Sequence, residues 1–177
     1  SDDIESGGSN WTHSGTTDLW HMSSYRYHSG ATSWYCGDEN QRLYSNDMAE
    51  MLISVPVTID QNARLSFWCW YTTENNYDDA FVEVSKDGRS YDILDIFTGS
   101  SSSWVYKEYD LSNYSGESLF IRFRYTTDSG TLQEGFYVDD ISPVADFATV
   151  TTLSSSITNH FYDITGKTNG SYYYRVK

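Results

Sequence analysis

The sequence predicts an all-β protein: an antiparallel jelly-roll sandwich followed by a short C-terminal β segment. Three observations carry this expectation. Apolar residues recur at every second position in several segments. Strand formers (Tyr, Thr, Val, Trp) outweigh the helix formers Ala, Leu, Glu and Lys. No segment holds helical periodicity over three turns, so nothing resembles a crossover helix.

Taken in order, strands are expected at 18–22, 32–36 and 49–59. Leu65, Phe67, Cys69 and Tyr71 share one strand face, with Ser66, Trp68 and Trp70 on the other. Ala80, Val82 and Val84 alternate with Phe81, Glu83 and Ser85, and Lys86-Asp87-Gly88-Arg89 turns the chain into the next strand, 90–97. A Gly-Ser loop at 99–103 leads to a strand at 104–110. The cleanest pattern follows: Leu119, Ile121, Phe123 and Tyr125 form a wholly apolar face, opposite Phe120, Arg122 and Arg124, a mostly basic one. A strand at 134–141 completes the first domain, 1–144. Beyond Ser142-Pro143-Val144, the remaining 145–177 reads as three further strands, at Phe147 to Thr152, Ile157 to Ile164 and Ser171 to Lys177. These are too few to bury a core alone.

Charge and composition narrow the function. The 177 residues carry 11 Lys and Arg against 25 Asp and Glu, a net charge of −14. Nucleic acid and anionic membranes need a basic face, so neither is an expected partner. No apolar run approaches a membrane span, so no membrane insertion is expected. No signal peptide is read, which leaves a cytosolic or an already processed chain. The acidic, Ser/Thr- and Tyr-rich composition favours the second, outside the cell or at its surface. Sequons at Asn10, Asn113 and Asn169 are candidate glycosylation sites, weakly diagnostic in a chain rich in Asn, Ser and Thr.

Short motifs in fixed order carry a resemblance. They are Asp2-Asp3-Ile4-Glu5-Ser6-Gly7, Asn10-Trp11, Leu19-Trp20-His21, Tyr27-His28-Ser29-Gly30, Ser33-Trp34-Tyr35, Tyr77-Asp78-Asp79-Ala80 and Val82 to Gly88. Tyr109-Asp110-Leu111-Ser112, Ile121-Arg122-Phe123 and the closing Gly135-Phe136-Tyr137-Val138-Asp139-Asp140-Ile141 follow. Together they resemble the MAM-like jelly roll of immune-inhibitor-A-type secreted metallopeptidases and of prokaryotic surface proteins. The segment from about Phe147 is similar to the later strands of a fibronectin type III module, through Tyr162 to Gly166 and Gly170 to Lys177. The resemblance implies a non-catalytic accessory or binding module. In keeping with that, the sequence has no His-Glu-x-x-His, its histidines (13, 21, 28 and 160) lack zincin spacing, and no Gly-x-Ser-x-Gly elbow occurs.

In this jelly-roll class the first and last strands run side by side. The resemblance therefore implies a carboxylate cluster of Asp3, Glu5, Asp139 and Asp140, with Asp78 reaching the same end. Such a set suits one structural Ca²⁺, because a hard cation offsets the mutual repulsion of carboxylates. Glu5 and Asp139 are the leading ligands, since strand alternation would turn Asp140 away. The competing reading is a group of solvated acids on an acidic chain. Trp68 and Trp70, on the face opposite Phe67, are candidate sugar-stacking rings, and the alternative for each is packing. Cys36 and Cys69 are expected either to pair as a disulfide, as extracellular cysteines do, or to remain as two isolated thiols.

The leading expectation is an extracellular recognition or adhesion module that binds carbohydrate or a protein surface and performs no chemistry. The first rival is a structural subunit that polymerises by strand addition through 146–177. The second is an accessory domain of a secreted metallopeptidase.

Overall fold

The computed structural model describes residues 4–5, 7–143, 164–166 and 168. The chain divides into two units, Ser1–Asp146 and Phe147–Lys177. Of the second unit the described residues are Ile164, Thr165, Gly166 and Thr168, all exposed. The strands expected there, the fibronectin-like segment and its role in strand addition lie otherwise outside the described residues.

The described residues of the first unit form an antiparallel sandwich of eleven strands. They are β1 (Trp11–Gly15), β2 (Trp20–Ser23), β3 (Ser33–Cys36), β4 (Ala49–Ser54), β5 (Val57–Thr58), β6 (Arg64–Thr72), β7 (Asp79–Ser85), β8 (Asp92–Phe97), β9 (Val105–Asp110), β10 (Ser118–Thr126) and β11 (Gly135–Ser142). The first sheet has the order β1-β4-β10-β7-β8, with β5 also paired to β10. The second has the order β2-β3-β11-β6-β9. The helical content of the described residues is a short 3-10 turn at Ser112–Tyr114. The all-β jelly-roll class read from the sequence is the observed one.

Alternation explains the elements. On β6 Leu65, Phe67 and Cys69 are buried between the sheets, and on β10 Leu119, Ile121, Phe123 and Tyr125 face them. Phe123 sits among aromatic rings, 5.0 Å from Phe67, 5.9 Å from Trp11 and 6.3 Å from Phe136 between centroids. The single run expected over 49–59 is two strands, because Pro56 has no N–H to give to a ladder. β1 escaped the sequence reading: only its Trp11 is buried, so it shows no alternation.

The disulfide is corrected. Cys36 and Cys69 are both free and both buried. Cys36 pairs with Phe136 and Cys69 with Val138, so β11 lies between them. Two strand spacings separate them by about 9.6 Å before the stagger is added. A disulfide closes only Cα atoms within about 7 Å.

Candidate functional site

The chain segment 24–32, between β2 and β3, lies against the outer face of the second sheet and is held there by side chains from both ends of the sandwich domain. From the N-terminal end, Glu5 Oε1 accepts the Ala31 N–H and the Thr32 N–H, both at 2.8 Å, and the Thr32 hydroxyl at 2.9 Å. These donors hold its carboxyl below the usual range. From β11, Asp139 Oδ2 accepts the His28 N–H at 2.7 Å and the Ser29 N–H at 3.2 Å. Gly30 supplies the left-handed residue between these anchors, at φ +63, and a Cβ there would be driven into the Glu5 carboxylate.

Asp140 departs from simple alternation. The pairing of β11 with β6 shifts register between Asp139 and Ser142, and Asp140 adopts φ +52. Asp is one of the few residues that accept this conformation. The bulge brings Asp140 to the same loop, where Oδ2 meets His28 Nδ1 at 2.6 Å and Oδ1 accepts the Ser29 hydroxyl at 2.6 Å. Asp139 itself is fully buried. Burial pushes its carboxyl up to about 6, against hydrogen bonds from His28, Ser29 and Asp140 that pull it down.

Asp78 does not join this cluster, which corrects the expected ligand set. It is buried at the start of the β7 segment, where Oδ1 accepts the Asp128 N–H and Oδ2 the Tyr44 hydroxyl. Its end of the sandwich is that of Gly135, which pairs with Thr72, whereas Asp139 pairs with Trp68. Four residues of strand, about 13 Å, separate those levels. Asp3 lies outside the described residues. Among the described residues no three His, Cys, Asp or Glu side chains form a group able to hold a metal ion. A Ca²⁺ here would have Glu5 and Asp139 as its carboxylates and would take its other oxygens from backbone carbonyls and water. The buried, cation-free Asp139 fits that role, and the N–H donors now on both carboxylates compete with it.

The same loop covers the candidate tryptophans. Trp68 and Trp70 are neighbours on the outer face, both half-buried. The His28 ring stacks on Trp68 at 3.8 Å with an interplanar angle of 12°. The Arg26 guanidinium lies 3.7 Å from the Trp70 centroid and is forked onto Glu134 at 2.9–3.1 Å. Tyr137 donates to the same Glu134, and Tyr35 stacks on Tyr137 at 4.1 Å. Across the strand from Trp68, Tyr106 is half-exposed and its ring is 5.5 Å away; Trp104 meets His28 edge-on. Arg26, His28, Ser29 and Glu134 were not singled out as site residues from sequence; the Tyr27-His28-Ser29-Gly30 motif was the available signal. Of the sequons, Asn113 is exposed in the 3-10 turn, Asn10 is half-buried, and Asn169 lies outside the described residues.

No family model matches the chain. It is 26% identical over 145 residues to bacillopeptidase F of Bacillus subtilis, covering 78% of this chain and 10% of that protein. The chain thus spans about a tenth of the length of the curated relatives it matches. The carbohydrate-binding module TmCBM61, solved with β-1,4-galactotriose, superposes with a TM-score of 0.57 at 16% identity, covering 78% of this chain and 91% of that one. The K2 cleaved adhesin domain of Lys-gingipain superposes with a TM-score of 0.56 at 17% identity, covering 78% and 93%. The chain shares its β-sandwich fold with these carbohydrate-binding and adhesin domains.

Proposed function

We propose that the chain is a non-catalytic carbohydrate-recognition module of a larger secreted or cell-surface protein, and that it binds through the outer face of β6 and β9. One observation supports this above the others: Trp68, Trp70, Trp104 and Tyr106 gather on that face, and Tyr106 remains half-exposed. Aromatic rings present flat apolar surface to sugar C–H groups, while Glu108 and Arg26 offer polar partners at the rim. Arg26 and His28 cover one side of their tryptophans, so the saccharide meets the remaining ring surface along Trp104, Tyr106 and Trp68. A glycan array including β-1,4-galactan oligosaccharides tests the reading. Binding is expected, with a loss of about tenfold or more in Trp68→Ala combined with Tyr106→Ala. No hit across neutral and acidic glycans would overturn it.

A structural Ca²⁺ belongs to the same proposal. Among the described residues no Arg or Lys forms an ion pair with the buried Asp139 carboxylate, and a cation would offset its burial cost. Ligated by Glu5 and Asp139, the ion would pin the loop that carries Arg26 and His28 onto the tryptophans. The match to peptidases supports an accessory place beside a catalytic domain.

A further inference from the structure

We propose that the outer face of the first sheet is a second binding surface, built to take the carboxylates of an acidic polysaccharide. It lies on the sheet opposite the aromatic face and does not depend on that reading. The basic side of β10 is its centre. Arg122 and Arg124 stand two residues apart on that side and converge on Glu83 of β7, at 2.6 and 2.8 Å. The Arg122 guanidinium lies 3.4 Å from the Tyr91 ring centroid and that of Arg124 3.6 Å from Phe81. Ring contact and ion pair together hold both forks in place.

Of the eight described Lys and Arg, four are paired one to one, and Arg42 and Arg89 form no ion pair among the described residues. Arg26 has Glu134, Arg64 has Glu108, Lys86 has Glu117 and Lys107 has Asp95. Arg122 and Arg124 share a single carboxylate, and that one is only 2% exposed. On a chain of net charge −14, a guanidinium pair with one counterion is a local cationic excess.

Hydrogen bonding gives an independent count. Arg124 spends Nε and Nη2 on Glu83; Arg122 spends Nε on Glu83 and Nη1 on the Met51 sulfur at 3.7 Å. Arg122 Nη2 and Arg124 Nη1 therefore make no bond to the described protein. The Tyr91 hydroxyl is buried and also lacks a partner. Forked guanidinium donors match a carboxylate. The rim is apolar: Ile93 pairs with Glu83 and Ile96 with Phe81, and both isoleucines are about half-exposed.

The geometry favours a polysaccharide over an acidic peptide. β10 is paired on both sides, by β4 and β7, so its own backbone offers nothing to a peptide strand and recognition at the arginines comes from side chains; the open sheet edge lies at β8, beyond the isoleucines. A stiff polyuronate brings one carboxylate per sugar, apolar C–H faces for the isoleucines and little conformational entropy to lose.

The test is calorimetric titration of the whole chain with polygalacturonate, with neutral galactan and poly-L-glutamate as comparison ligands. Polygalacturonate is expected to bind at low salt and to weaken markedly at about 0.5 M NaCl. Arg122→Gln with Arg124→Gln should reduce affinity about tenfold or more, and Arg122→Lys with Arg124→Lys by less, because charge remains while the fork is lost. Thermal melts identify any variant that fails to fold, and the Lys pair keeps the test decisive if the Gln pair does. Trp68→Ala should leave this binding unchanged, which separates it from the aromatic face. Full affinity in the Gln pair, equal binding of neutral galactan, or equal or tighter binding of poly-L-glutamate would each overturn the proposal.

Discussion

Asp139 shows what a single buried carboxylate does to the molecule. Its folded carboxyl is pushed to about 6, against an ordinary 3.8. Between those values the folded protein holds a proton that the unfolded chain has released, so stability falls as pH rises through the window. In chelator, the melting temperature should rise on acidifying from pH 7 to 5, reflecting on the order of 1 kcal/mol, and Asp139→Asn should flatten that slope. The cysteines make a second residue-scale case. Burial pushes the Cys69 thiol up to about 12 and raises Cys36 further from reactivity. A thiol reagent should find no reactive group in the native protein and two after denaturation, and reductant should leave the melt unchanged. The presence of two cysteines was legible in the sequence. Their separation by β11 was not, because it depends on sheet order.

At the scale of elements, long alternating segments were legible. β6, β7 and β10 were read within about a residue at each end, since one of their faces is wholly apolar. The 24–32 loop was not legible. Its position is set by hydrogen bonds from Glu5 and from the β11 bulge, contacts with sequence separations of 26 to 112. The bulge also explains why alternation misassigned Asp140. Gly30 is where this element is most exposed to substitution. Gly30→Ala places a methyl against the Glu5 carboxylate and strains a positive φ, and should destabilise by about 1–3 kcal/mol in urea melts. A melt equal to that of the parent would mean that the Glu5 clasp contributes nothing.

For the whole molecule, the sandwich has three apolar layers rather than one. Besides the core between the sheets, Tyr35, Tyr137 and Trp70 form a smaller layer beneath the loop on the outer face of the second sheet. Composition registered this as an aromatic excess without assigning it, because Trp and Tyr serve packing and binding equally well. The outer face of the first sheet carries the third apolar set, around its arginines. If Ca²⁺ joins Glu5 to Asp139, chelator should lower the melting temperature and added Ca²⁺ restore it. The shift is about 2.7 kcal/mol at a hundredfold excess over the dissociation constant. An identical melt in chelator and in Ca²⁺ would leave the two carboxylates as hydrogen-bond acceptors for the loop and nothing more.

The Glu5 clasp also makes the aromatic surface hostage to the first few residues. A peptidase nicking the chain between Gly7 and Trp11 would leave every strand intact, yet free Ile4 from the core and detach the latch that seats Ala31 and Thr32. Arg26 and His28 would then be seated by Glu134, Asp139 and Asp140 without the second anchor. Trimming at one turn would in this way loosen recognition on one side of the domain while the arginine side goes on working.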